Sequence, residues 1–159
     1  MHVRLGDLLV QYGVLTAQQR DIVLDEQRLV GLPFGVLAEN MFGVSRTDIE
    51  RAWGEQHALS AKQIDPRSAE VDHHVLALVE RRQAWQFRSL PIRFDGEDLI
   101  VCSTRDHLVR ALKFTGWRIG HPCVLVLADP HALGEALVKY YPIDGMTAES
   151  VAGQLSARR

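Results

Sequence analysis

Two segments near the N-terminus share a pattern of residues that could bind an anionic ligand. They run from Arg4 to Gln27 and from Pro33 to Gln56, have equal length, and are separated by the spacer RLVGL. An arginine at such a position can stack on a base or pair with a phosphate. A glycine beside it lets a ligand approach backbone amides at the positive end of a helix dipole. Two such starts would suit an anionic ligand with two-fold symmetry.

The two segments are not equally suited to that chemistry. Gly6 corresponds to Gly35, but Arg4 corresponds to Pro33, and Gly13 corresponds to Phe42. Replacing arginine by proline removes both a cation and a backbone donor. We therefore expect the first copy to dominate any ligand contact and the second copy to provide an apolar wall.

Other residues that could carry chemistry are weaker candidates. His73 and His74 are adjacent and therefore point in different directions, without the usual spacing of metal ligands, so no metal site is predicted. Cys102 and Cys123 lie in apolar runs, as buried thiols do. A catalytic pair such as Cys102 with His107 stays a minor alternative. The chain contains no G-x-x-x-x-G-K-[ST] and no G-x-G-x-x-G motif. We predict no catalytic residues and no enzyme activity.

Composition and charge limit the classes of partner. The 159 residues are 47% hydrophobic and 24% charged, with a net charge of -2. This balance argues against binding to a nucleic-acid backbone, which needs a basic face, although the stretch ERRQAWQFR mixes basic and aromatic residues. We interpret that stretch as a helix with solvated arginines and a buried tryptophan. No apolar run approaches the roughly 20 residues that cross a bilayer, and we expect a cytoplasmic protein without membrane insertion.

Apolar periodicity and capping residues predict the helices that form the two repeated segments. Each copy contains a short apolar-periodic segment followed by a longer one. Thr16 precedes the first long segment and has Gln19 three residues later, which is a capping-box pattern. Ser45 and Asp48 take the same places in the second copy. The pattern predicts two short-helix, long-helix pairs that pack together.

The rest of the chain alternates between helical and extended patterns. We predict an extended piece at residues 61–64, one helix over residues 75–87, and two strands joined by the turn signal DGE. A helix with Gly116 at its C-cap, a third strand and a helix starting at Pro130 follow. The predicted fold class is α+β. A four-helix subdomain at 1–59 precedes a small α/β layered subdomain at 60–143 with about three strands. The tail at 144–159 either holds one more short helix or is mobile.

These segments resemble the N-terminal domain of type II secretion and type IV pilus assembly ATPases, the family called GspE N-terminal or MshEN. Its motif begins Arg-Leu-Gly, continues to a second glycine, and ends in a Leu-x-x-Gln, and it is repeated after a five-residue spacer. The resemblance covers about residues 3–141 and includes SLPIRFDGEDLIVCSTRD, KFTGWRI and ALVKYY. It implies a helical subdomain followed by an α/β subdomain.

The resemblance also implies a ligand and its contacts. Many members with both motifs intact bind cyclic di-GMP along the tandem segment, and no other cofactor is implied. Carried onto this chain, the candidate ligand-binding residues are Arg4, Leu5, Gly6, Leu9, Gly13, Leu24, Gln27, Gly35 and Gln56. The chain departs from the motif at Pro33, Phe34, Phe42 and Arg20.

Two hypotheses for function follow. The leading one is a non-catalytic regulatory or adaptor domain that contacts secretion or pilus assembly proteins, either a platform protein or an ATPase. The alternative is a cyclic di-GMP receptor that uses the first motif and has an impaired second half-site. The ATPase module that follows this domain in the family is not in the 159 residues. The chain is therefore either a free-standing module or a fragment of an ATPase, and both remain open.

Overall fold

The computed structural model describes residues 3–152. The chain divides into two compact units, Met1–Ser60 and Ala61–Arg159. Within the described residues, no helix combines the length and apolar character needed to cross a membrane.

The first unit consists of the two predicted pairs of helices. The helices are α1 (Leu5–Gln11), α2 (Ala17–Val30), α3 (Phe34–Phe42) and α4 (Arg46–Ser60). Both short helices precede long ones, so the predicted tandem arrangement is confirmed.

Similar capping chemistry starts the long helix in both copies. The Thr16 hydroxyl accepts from the Gln19 amide at 3.1 Å, and Gln19 accepts from the Thr16 amide at 2.9 Å. In the second copy the Ser45 hydroxyl accepts from the Asp48 amide at 3.1 Å. These bonds satisfy helix N-terminal donors that would otherwise lack partners. The capping residues thus fix where α2 and α4 begin.

The core of the first unit is shared between the copies. Its buried apolar side chains are Leu8, Leu9, Leu15, Val23, Phe34, Leu37, Ala38, Val44 and Ala52. All four helices or the loops between them contribute. Neither copy could bury its apolar face alone, which is why the repeat comes as a pair.

The second unit is built on a three-stranded sheet with the order β1-β2-β3. The strands are β1 (Leu90–Asp95), β2 (Asp98–Ser103) and β3 (Cys123–Leu127). β1 and β2 form the predicted hairpin, whose turn places Gly96 at φ 63°. β3 lies parallel to β2, and the segment at 62–64 runs along the end of β3, with Ile64 donating to the Leu127 carbonyl. The predicted α+β class with three strands is confirmed.

Helices complete the second unit: α5 (Arg81–Gln86), α6 (Leu108–Phe114), α7 (Pro130–Tyr140) and α8 (Ala148–Ala152). The prediction of one helix over 75–87 is wrong. A 3-10 helix at His73–Leu78 ends at the extended residue Val79, and α5 begins anew after Glu80. The chain restarts there because Gln83 accepts from the Glu80 amide, which caps a new N-terminus.

The predicted end of α6 is also wrong. Gly116 does not cap the helix; the chain continues as a π turn over Thr115–Ile119 and stops at Gly120, whose φ is 74°. The Thr115 hydroxyl donates to the Leu112 carbonyl at the start of the π turn. Ile119 at its end is buried, so the helical segment extends far enough to place the Ile119 side chain in the core. Only then does a glycine supply the left-handed residue.

The start of the tail packs as a short helix, one of the two outcomes left open by the sequence. Ala148 and Val151 of α8 are buried, and the α8 backbone lies against Gly134 of α7. Buried Arg88 donates to the Ser150 carbonyl at 3.2 Å. Residues 153–159 of the predicted tail lie outside the described residues.

Candidate functional site

A groove of about 590 Å³ opens on the first unit and is lined by both copies of the repeat. Its lining residues are Arg4, Leu5, Gly6, Asp7, Arg20, Asp21, Leu24, Gln27, Phe34 and Gln56. Gln27 and Gln56, which correspond in the two copies, therefore both face one space. The groove offers apolar wall, amide groups and charges of both signs.

Six of the nine candidate residues come together in this groove: Arg4, Leu5, Gly6, Leu24, Gln27 and Gln56. The other three lie elsewhere in the same unit. Leu9 is fully buried in the core, Gly13 is left-handed with φ 74° in the turn after α1, and Gly35 lies in α3. These three residues do not line the groove; they belong to the helices and the turn that form it.

Gly6 is in close contact with side chains from both copies. An ideal Cβ at Gly6 would lie 2.8 Å from Phe34 Cζ and 3.1 Å from Arg20 Cγ. A Cβ within 3.0 Å of another heavy atom would force one of the two to shift. The missing side chain at Gly6 therefore makes room for the ring of the second copy.

Gly35 is used in the matching way. An ideal Cβ there would lie 2.8 Å from Ile49 Cγ2 and 3.8 Å from Leu5 Cδ2. Leu5 corresponds to Phe34 in the repeat, and Ile49 corresponds to Arg20. The packing is therefore reciprocal. Phe34, which precedes Gly35, packs over Gly6, and Leu5, which precedes Gly6, packs over Gly35. A side chain from the long helix of the same copy also contacts each glycine. The repeat packs as an internal pseudo-dimer.

The charges in the groove are partly paired with one another. Arg20 Nη1 lies 3.2 Å from Asp7 Oδ1, and Arg20 Nε lies 3.2 Å from Asp21 Oδ1. Arg4 is exposed and precedes α1, with extended backbone angles. The groove thus contains one arginine that is paired with two carboxylates and a second arginine that is exposed.

Four lining residues were not among the sequence candidates: Asp7, Arg20, Asp21 and Phe34. Arg20 and Phe34 are places where the chain departs from the family motif, and that departure was the available signal. The Arg20–Asp7 pair joins two helices, and no periodicity within one helix could have indicated it.

The cysteines are poorly suited to act as nucleophiles, and the described histidines join no cluster that could hold a metal ion. Cys102 is fully buried, and burial raises the pKa of its thiol to about 12. Burial also raises the pKa of Cys123. A thiol that stays protonated at neutral pH is a poor nucleophile. Across residues 3–152, no three side chains of histidine, cysteine, aspartate or glutamate gather where they could share a metal ion.

The second unit carries a large exposed aromatic residue on the π turn. Trp117 is 77% exposed, and the Arg118 guanidinium lies 5.2 Å from its ring centroid. Exposed tryptophan is uncommon away from interaction surfaces, and tryptophan and arginine are enriched among the residues that dominate binding energy at protein interfaces.

Comparison with known protein families identifies the architecture. The model of the MshEN domain matches residues 57–147, which is more than half of the chain. The chain belongs to the MshEN domain family. The matched part of this MshEN chain contains the sheet, α5–α7 and Trp117, whereas the groove residues from Arg4 to Gln56 precede it. The family predicted from the sequence is confirmed.

This MshEN chain is similar to a pilus assembly protein. It is 23% identical to the type IV pilus assembly ATPase PilB of Myxococcus xanthus (strain DK1622) over 155 residues, which is 98% of this chain and 27% of PilB. The chain therefore spans only about a quarter of the length of that relative.

Two solved structures are also similar to the MshEN chain. A structure of MshE with cdg is 26% identical, covers 87% of this chain and 99% of that one, and has a TM-score of 0.48. A structure of the N-terminal domain of XpsE is 17% identical, covers 89% and 100%, and has a TM-score of 0.46.

Proposed function

We propose that this MshEN domain is a non-catalytic regulatory adaptor that binds a protein of a secretion or pilus assembly machine on its cytoplasmic side. The observation that carries the proposal is Trp117, a largely exposed indole on the π turn, within the residues that match the family. A ring of that size contributes a large contact area at little cost in conformational entropy. The partner we propose is the P-loop module of an assembly ATPase or the cytoplasmic part of a platform protein.

Biolayer interferometry of the purified chain against these two partners tests the adaptor function. We expect Trp117→Ala to weaken binding by roughly tenfold or more, as hot-spot truncations that cost about 2 kcal/mol do. Leu78→Ala, in the same unit and 37% exposed, is the matched control and should leave binding unchanged. Absence of binding to both partners, or equal binding by Trp117→Ala, would refute the proposal.

A second candidate function is reception of cyclic di-GMP in the groove. It is supported by the convergence of Arg4, Leu5, Gly6, Leu24, Gln27 and Gln56 on one space. We propose that Arg4 contacts the charged or planar part of the nucleotide, that the two glutamines provide hydrogen bonds, and that Phe34 forms the apolar wall. Pro33 supplies no cation at the matching place, so binding is weaker than at a site with two arginine ends.

Isothermal titration calorimetry with cyclic di-GMP tests the receptor function. A hydrogen bond to a charged group is worth about 1.5–3 kcal/mol, so Arg4→Ala should weaken binding by roughly tenfold to a hundredfold. Arg28→Ala removes an arginine of the same unit that does not line the groove and should have little effect. No heat at high micromolar ligand would exclude this function.

A further inference from the structure

The groove contains a second cation that the family motif does not have. Arg20 occupies a position where the motif carries leucine, and it lines the groove together with Arg4. We propose that Arg20 is a latent second cation of the groove, which leaves Asp7 to bind an anionic group of the ligand and so compensates for the cation that is missing at Pro33. This inference rests on the second candidate function, in which the groove binds a nucleotide.

The stem of Arg20 lies in the groove beside the ring of Phe34, the first residue of α3. Its Cγ and the Phe34 ring share the small space above Gly6, where an ideal Cβ would lie 3.1 Å and 2.8 Å from them. Phe34 directly follows Pro33, the residue at which the second copy has no arginine. The stem of Arg20 therefore runs beside the start of the second copy, although the residue belongs to the first.

The contacts that hold Arg20 can be exchanged. Its side chain is 28% exposed, and its partners Asp7 and Asp21 are 49% and 63% exposed, with both N–O distances at 3.2 Å. Ion pairs this exposed contribute little net free energy because water and salt screen them. A phosphate can accept two parallel hydrogen bonds from a guanidinium, which is a stronger and more directional contact.

Asp7 and Asp21 then act as competitors that set the affinity of the groove for anions. A ligand phosphate that enters must take Arg20 from Asp7 and approach both carboxylates. Removing one carboxylate charge should strengthen binding, whereas removing the arginine should weaken it. The opposite signs distinguish this role from a purely structural one, since a loss of fold would weaken binding in both variants.

The ligand class that fits a groove lined by two arginines has two anionic groups. Cyclic di-GMP has this form, and GMP provides a probe with a single phosphate group. If Arg20 contacts the second phosphate, its removal should affect the dinucleotide more than the mononucleotide.

Titration of the full chain with cyclic di-GMP and with GMP tests the inference. We expect Asp7→Asn to tighten cyclic di-GMP binding by about threefold to tenfold and Arg20→Leu to weaken it by roughly tenfold or more. Arg20→Leu should change GMP binding less. Asp25→Asn and Arg28→Leu alter a similar ion pair, 3.5 Å long, away from the groove and should change neither affinity. Thermal melts followed by circular dichroism establish that each variant is folded.

The outcomes separate this inference from the function on which it rests. If the wild type binds with a dependence on Arg4 but is unaffected by changes at Arg20 and Asp7, the receptor function stands and the role of Arg20 is refuted. If neither the wild type nor Asp7→Asn binds either nucleotide, the receptor function fails, and the role of Arg20 fails with it.

Discussion

The substitution Gly134→Ala tests how closely α8 packs against α7 in the second unit. Gly134 lies in the middle of α7, where alanine would normally be the better residue. An ideal Cβ at this position would lie 2.5 Å from the Ala148 carbonyl oxygen and 2.7 Å from its Cα. Both atoms are backbone, so no side-chain rotation relieves the contact, and α8 must move.

The expected magnitude follows from two opposing effects. Overpacking a well-ordered interior costs about 1–3 kcal/mol, and a backbone obstacle places this case near the upper value. Better helix propensity returns about 1 kcal/mol. The free energy of unfolding should therefore fall by about 2 kcal/mol, or roughly 4–8 °C in melting temperature for a chain of this length.

Urea unfolding followed by far-UV circular dichroism measures this loss. Gly116→Ala is the matched control because no atom lies within 4 Å of its ideal Cβ and its φ is not positive. That variant should equal or slightly exceed the wild type in stability. If Gly134→Ala is as stable as the wild type, the close packing of α7 on α8 is refuted.

Three further predictions concern individual side chains. Because burial raises the pKa of Cys102 to about 12, its thiol should resist alkylation at pH 8 in the native protein and react in urea, as mass spectrometry of its peptide would show. Burial lowers the pKa of His57, so below the ordinary value of 6.5 the unfolded chain gains a proton that the native one resists. Stability should then decline as pH falls from 7.5 to 5.5, and His57→Gln should reduce that decline in the urea midpoint. Trp85→Phe removes the 2.7 Å bond from the indole to the Tyr141 carbonyl and should cost about 1–3 kcal/mol by thermal melting, whereas an unchanged midpoint would show that the bond contributes nothing.

The features that the sequence predicts well are local. A capping residue such as Thr16 acts on an amide three residues away, and the hairpin depends on one glycine, Gly96, between two extended runs. Such signals lie within a few residues of their effect. For that reason the tandem helices and the three strands could be predicted without a structure.

The features that the sequence does not predict depend on contacts between distant residues. The break between the 3-10 helix and α5 is a local exception: the cap joins Glu80 to Gln83, but the apolar period continues across it and predicts one helix. The family motif places Gly6 at a ligand, but the sequence does not show that the Phe34 ring occupies the space where a side chain at Gly6 would lie. The Arg20–Asp7 pair likewise appears only once α1 and α2 are placed side by side.

The reciprocal packing at Gly6 and Gly35 links occupancy of the groove to the cohesion of the repeat. The Phe34 ring is a wall of the groove and, at the same time, part of the interface that joins the two copies. A ligand that displaces the ring therefore weakens the interface between the copies, and the free energy lost there reduces the free energy of ligand binding. By the same linkage, any partner protein that presses the two copies together would oppose the ligand. Binding of a small molecule would thereby change the affinity of the chain for a protein without a hinge or a moving domain.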